Sequence, residues 1–235
     1  MNRVLIAQLG IVALCLWSLV ELAANFPYPS PLIRSFLPPR LHWPSQQVES
    51  WVNTQDFPSS FLQYFGRDPE RTIPAGANLV APADGVIGEI LHRDGRSYLV
   101  VKMSFWDVHV IRAPAAGTVT GIEEEGVRLV RDAETEAQKV EDIYERGKDA
   151  PVQKIMSFNS AYGDLKVRMI TSYWASRLKV WVYRGETVKK GERIGRIMLG
   201  STTVLEMPGN INFLVKSGQH VTGGQTIVYT GAGGE

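Results

Sequence analysis

Three side chains with complementary chemistry stand far apart in this chain: the Asp84 carboxylate, the His109 imidazole and the Ser201 hydroxyl. A hydroxyl nucleophile needs a base to take its proton, and the base works best when a carboxylate orients it. Each residue also has a plain local reading. Asp84 precedes Gly85 and Ser201 follows Gly200, and both pairs are turn chemistry. His109 lies in Trp106–Ile111, WDVHVI, whose alternation reads as a strand in which a histidine simply packs. Asp107 would share its face, because strand side chains repeat every two residues, and is a secondary candidate as its partner. A Ser-His-Asp hydrolase of the elbow type needs G-x-S-x-G between strand and helix, and the sequence has none. His109 has no H-E-x-x-H partner, and His42, His92 and His220 show no ligand spacing, so no metal is expected.

The elements that must position these groups are read from composition and pattern. The 235 residues carry 25 basic and 24 acidic side chains, a balance that excludes a nucleic-acid surface built on bulk positive charge. Twenty-two glycines and thirteen prolines favour a turn-rich, mainly β protein. A single cysteine, Cys15, rules out a disulfide or a cysteine-based metal site within the chain. Val4–Val20 is almost wholly apolar and reads as an N-terminal transmembrane helix, marginal against the roughly 20 residues a bilayer core requires. A cleaved signal and a buried helix compete with it. Glu21–Ala24 makes a poor cleavage site, and the run has almost no polar face. The expected organisation is therefore a membrane anchor over 1–24, a linker over 25–63 rich in proline, serine and tryptophan, and a β domain over 64–235.

Two internal repeats mark the β domain. Ala81-Pro-Ala-Asp-Gly85-Val-Ile87 matches Ala113-Pro-Ala-Ala-Gly117-Thr-Val119, and the V-x-x-G-x-x-V-x-x-G-x-x-I series from Val182 to Ile194 recurs from Val215 to Ile227. Short strands joined by glycine turns suit small sheets, and the paired copies resemble the halves of a barrel-sandwich hybrid module. Asn78–Ile90, Tyr98–Met103, Lys154–Phe158, Lys166–Thr171 and Ser176–Val182 read as further strands or hairpins. Tyr64–Arg71, with Asp68-Pro69 as a turn signal, reads as a solvated loop. One amphipathic helix is expected within 127–146, from apolar residues at spacings of three and four.

Four blocks taken together carry a resemblance. Phe65-Gly-Arg-Asp-Pro-Glu-Arg71, Ala81-Pro-Ala-Asp-Gly85, Met103-Ser-Phe-Trp-Asp-Val-His109-Val-Ile-Arg-Ala-Pro114 and Leu199-Gly-Ser-Thr202 occur in this order and resemble the phosphatidylserine decarboxylase proenzyme family, in its short microbial branch. The resemblance implies cleavage between Gly200 and Ser201. Ser201 Oγ would attack the Gly200 carbonyl, with His109 as base and Asp84 orienting it. Elimination and hydrolysis would then leave a pyruvoyl group at position 201 as the only cofactor. That group would form a Schiff base with the amine of phosphatidylserine, or of a related serine phospholipid, and accept the electrons as CO2 leaves, giving phosphatidylethanolamine.

Further consequences follow from the resemblance. The partners would be a phospholipid, the membrane and the chain's own two fragments, with a homo-oligomer open and no nucleic acid. The location would be the cell membrane. Ile111 stands where the short branch carries asparagine, and Arg112 where other branches carry a second histidine. His109 would therefore serve both steps, while Arg112 would bind a substrate phosphate or carboxylate or else form a salt bridge. Tyr144-Glu145-Arg146 is at best a remnant of the family's asparagine-glutamate-arginine block. The alternative is a membrane-anchored, non-catalytic adaptor on the same scaffold. A membrane-tethered peptidase is disfavoured by the missing ligand spacing.

Overall fold

The computed structural model describes residues 3–25, 36–126, 152–171, 177–198 and 201–231. The helix expected within 127–146, the Tyr144–Arg146 remnant, and Leu199 and Gly200 lie outside them. The chain divides into two compact units, Met1–Asp56 and Phe57–Glu235.

The first unit is helical: α1 (Arg3–Asn25), α2 (Pro39–His42) and α3 (Ser45–Thr54). Proline suits a first helical turn, where its missing N–H has no partner to lose, and α2 begins on one. Val4, Leu5, Ile6, Leu9, Ile11 and most other apolar side chains of α1 face outward. Among the described residues, however, no helix is long and apolar enough to cross a membrane. The spanning anchor expected at 1–24 is therefore not supported. At 1.5 Å per residue the apolar run Val4–Val20 covers about 26 Å, short of a hydrocarbon core of about 30 Å, and Gln8 and Ser18 interrupt it.

Among its described residues the second unit is mainly β behind a short helix, α4 (Ser59–Phe65). Its strands are β1 (Leu79–Val80), β2 (Gly85–Arg93), β3 (Arg96–Met103), β4 (Val110–Arg112), β5 (Gly117–Glu125), β6 (Gln153–Ser160), β7 (Gly163–Thr171), β8 (Arg177–Val180), β9 (Thr187–Val188), β10 (Arg193–Met198), β11 (Ser201–Pro208), β12 (His220–Val221) and β13 (Ile227–Tyr229). Eight of them form one sheet in the order β12-β2-β3-β11-β7-β6-β5-β9. Three more pair as β4-β10-β8, and β1 pairs with β13.

The sequence repeats become a repeated fold. β12 pairs with β2 as β9 pairs with β5, with Val221 opposite Gly85 and Val188 opposite Gly117. The two Ala-Pro-Ala segments bond to each other reciprocally, Val80 N–H to the Pro114 carbonyl and Arg112 N–H to the Pro82 carbonyl. Gly185, Gly191, Gly218 and Gly224 hold φ of 91°, 77°, 83° and 76°, a conformation that a Cβ would strain. Every sixth residue of each series can thus turn the chain, between valines that are themselves six apart.

The main core lies on one face of the large sheet, with Leu99, Val101, Met156, Val167, Ile194, Ile197 and Leu205 fully or almost fully buried. Strand alternation sends Val204 to a smaller cluster with Tyr98, Val100 and Ile170 on the other face. The segment Trp106–Ile111 departs from expectation, because pairing begins only at Val110. Asp107 accepts hydrogen bonds from the Ser104 N–H and hydroxyl at 2.7 and 2.6 Å, and its own N–H donates to the Ser104 carbonyl. These bonds close a turn that removes residues 104–109 from the sheet.

Leu205 sits opposite Leu99 on one side and Val167 on the other, all three fully buried. Leu205→Ala should cost about 3 kcal/mol through lost burial and a residual cavity. Thermal unfolding should show a midpoint lower by roughly 6–12 °C for a chain of this size.

Candidate active site

Ser201 opens β11 in the middle of the large sheet, with its main chain opposite Met103 of β3 and Thr171 of β7. Met103 is the residue from which the 104–109 loop departs. That loop ends at His109, whose carbonyl accepts the Ile197 N–H at 3.1 Å. Ile197 belongs to β10, the strand that ends at Met198, just before Leu199 and Gly200. One loop therefore touches the strand entering the expected cleavage site and follows directly from the residue that pairs with the strand leaving it.

His109 is fully buried. Its Nδ1 lies 3.0 Å from the Asp107 carbonyl. A carbonyl only accepts, so Nδ1 carries the proton and Nε2 keeps its lone pair. The ring packs against Phe65 with centroids 4.2 Å apart and the planes tilted by 35°. Burial pushes the His109 pKa down to about 4, and the positive charges of Arg67 and Arg196 add to the shift against the opposing pull of Asp107. At neutral pH the ring is an uncharged base.

Asp107 orients His109 through its main chain. The carboxylate that the strand reading aimed at His109 goes elsewhere, to Ser104 and, at 3.0 Å, to His220 Nε2. The cause is the turn at 104–107, which breaks the two-residue alternation. Burial alone would raise the Asp107 pKa, but the hydrogen bonds from Ser104 and His220 outweigh it and hold it below the usual carboxylate value.

The structure does not pair Asp84 with His109. Its carboxylate takes an ion pair from Arg71 at 2.8 Å and a hydrogen bond from the Gly223 N–H at 2.8 Å. Of the two readings of Arg112, the geometry displays the salt bridge. The buried guanidinium donates to Asp68 at 2.9 Å and to the Pro69 and Gly191 carbonyls. Ile111 is buried in the core, where an asparagine amide would need partners of its own.

Phe65–Arg71, read from sequence as a solvated loop, is instead a clamp. Phe65 covers His109. The Gly66 carbonyl accepts from Arg196 at 3.0 Å. Arg67 donates to the Trp106 carbonyl, which also accepts from the Tyr64 hydroxyl at 2.9 Å. Asp68 bridges Arg112 and Arg193, and Arg71 holds Asp84. Sequence reasoning missed Phe65, Arg67, Arg196 and His220 as site residues. No local pattern signals them, because Phe65, Arg196 and His220 reach the site through partners far away in the chain and Arg67 through a main-chain carbonyl of the 104–109 loop. Among the described residues no group of three or more His, Cys, Asp or Glu is arranged to hold a metal.

The buried histidine has a consequence for stability. Its folded pKa of about 4 lies below the ordinary value of 6.5, so the unfolded chain takes up the proton first. Stability is complete above about pH 6.5 and is lost as pH falls toward 4, by roughly 3 kcal/mol at most. The contribution of Asp107 disappears only below the ordinary carboxylate value of 3.8 and so lies outside this window. In a Ser201→Ala background, denaturant unfolding should show this loss between pH 6.5 and 4, and His109→Gln should flatten it.

The chain matches the model of the phosphatidylserine decarboxylase family over residues 59–229. It is 35% identical over 168 residues to a phosphatidylserine decarboxylase proenzyme of Streptomyces griseus, covering 71% of this chain and 73% of that one. It is 34% identical over 167 residues to a putative archaetidylserine decarboxylase proenzyme of Archaeoglobus fulgidus, covering 71% and 76%. A putative archaetidylserine decarboxylase proenzyme of Methanothermobacter thermautotrophicus is 33% identical over 189 residues, covering 72% and 80%. No solved structure matches the chain significantly. With most of its second unit matched and the paired loop and strand geometry in place, the chain belongs to the phosphatidylserine decarboxylase family of carboxy-lyases.

Proposed function

We propose that this protein is a self-processing, pyruvoyl-dependent decarboxylase that converts phosphatidylserine, or a related serine phospholipid, to the ethanolamine lipid and CO2. The observation that carries the reading is that one loop meets both of the strands on either side of the expected cleavage site, with Met103 opposite Ser201 of β11 and the His109 carbonyl accepting from Ile197 of β10. The names of the relatives share a serine headgroup and differ in the lipid part, which supports the substrate class.

The residues would act as follows. The Gly200 carbonyl is the electrophile and Ser201 Oγ the nucleophile. His109 Nε2, uncharged near neutral pH, takes the hydroxyl proton, because a serine hydroxyl is a weak nucleophile unaided. The Asp107 carbonyl fixes the tautomer and Phe65 fixes the ring plane. Asp84 acts on the site by charge, since its carboxylate is felt by Arg67, rather than by contact with His109. A pyruvoyl group at position 201 would supply the carbonyl that captures the substrate amine and accepts electrons when CO2 departs. Position 201 suits such a group, because its main chain is held between two strands and a buried basic nitrogen stands in the adjoining loop. After CO2 loss, His109 Nε2 is the atom from which a proton would return to the substrate carbon.

A lipid substrate calls for membrane association. The outward apolar surface of α1 would contribute by lying against lipid, where burial of apolar area is favourable.

Intact mass of the purified protein should show two chains divided before residue 201, the shorter with a blocked amino terminus that reacts with hydrazines. Ser201→Ala should remain a single 26.1 kDa chain. His109→Ala should either stay uncut or be cut but release CO2 at least about 100-fold more slowly, as expected for loss of a positioned acid or base. A native chain that stays whole on long incubation would overturn the reading in favour of the non-catalytic adaptor.

A further inference from the structure

Arg196 is a half-buried guanidinium with no carboxylate partner among the described residues. Its Cα is paired with that of Val110, next to His109, two residues before β10 ends. Nη2 donates to the Gly66 carbonyl at 3.0 Å. Nε is buried with no hydrogen-bond acceptor. A buried N–H left unsatisfied is unfavourable, and an incoming acceptor would relieve it. Arg67 stands beside it in the clamp. Its donors go to the Tyr64 and Trp106 carbonyls, and among the described residues no carboxylate touches it. The other arginines of this region are neutralised by contact: Arg71 by Asp84, Arg112 by Asp68, and Arg193 by Asp68 and Glu70. Among the described residues, then, neither of these two positive charges next to His109 has a carboxylate in contact, although Asp84 and Asp107 act on Arg67 from a distance.

The surroundings of Arg196 suit a lipid surface. Its guanidinium lies 5.7 Å from the Trp181 ring, which is 43% exposed, and Tyr183 nearby in sequence is 68% exposed. Exposed tryptophan and tyrosine are favoured at headgroup depth.

We propose that Arg196, assisted by Arg67, is the subsite that binds the phosphodiester of the substrate headgroup. This rests on the decarboxylase reading of the same site. The guanidinium fork matches phosphate oxygens. The carboxylate is the poorer occupant, since it loses its charge as CO2 leaves. A cation on it would stabilise the ground state more than the transition state and slow the reaction.

Binding can be measured without catalysis, in full-length Ser201→Ala protein, by calorimetry with glycerophosphoethanolamine, glycerophosphoserine and free serine. Both phosphodiesters should bind and serine should not. Arg196→Gln should weaken both at least tenfold, and Arg196→Lys, which keeps the charge but loses the fork, should fall between. If Arg196→Gln fails to fold, the lysine variant decides. Unchanged binding in the folded variants, or no binding of either phosphodiester by the parent, overturns the proposal. Arg196-dependent binding of serine alone reassigns the subsite to the carboxylate and also overturns it. Arg196-dependent phosphodiester binding by a protein that never cuts itself would leave the subsite standing while the decarboxylase reading fell.

Discussion

β11 is paired on both edges from its first residue. Ser201 lies opposite Met103 and Thr171, and the pairing with β3 continues through Pro208. A chain break immediately before it would leave these rungs in place, so cleavage would not need to release the carboxyl-terminal part. The same pairing fixes where the main chain of position 201 can be. A reactive group built there would stand on a rigid strand rather than on a loop, which is what precise chemistry favours.

Charge neutralisation then ties the periphery to that centre. The short run from Phe65 to Arg71 reaches β4, β10, the Asp84 turn and the 104–109 loop through five of its side chains or carbonyls. Arg112 and Asp84 are nearly inaccessible, and a buried ion left without its partner is strongly unfavourable. The clamp is therefore held by the cost of opening it as much as by the attraction within it. Its position over His109 also excludes water from the ring.

Exclusion of water sets the character of the histidine. An imidazole at this depth, beside Arg67 and Arg196, resists protonation, so Nε2 stays unprotonated at neutral pH. The Asp107 carbonyl selects the tautomer, while the Asp107 carboxylate holds the loop closed on Ser104 and His220. Two functions that a catalytic carboxylate often combines are here divided between the main chain and the side chain of one residue.

The repeats, the glycine turns and the β character were legible in the sequence, because a positive φ every few residues and a two-residue alternation are local requirements with local signatures. The family blocks, with Ser201 and His109 among them, were legible for a similar reason, as short runs of fixed composition. The pairing of charges was not. Asp84 and His109 looked like partners by type, yet Asp84 went to Arg71 and His109 to a carbonyl two residues away. The Phe65–Arg71 run looked solvated because its counter-charges lie in distant strands, with Arg193 more than a hundred residues on. The sequence determined which groups are present and which backbone turns are possible. Only the tertiary structure decided which charges come into contact and which do not, because those outcomes depend on burial and on contacts between residues far apart in the chain.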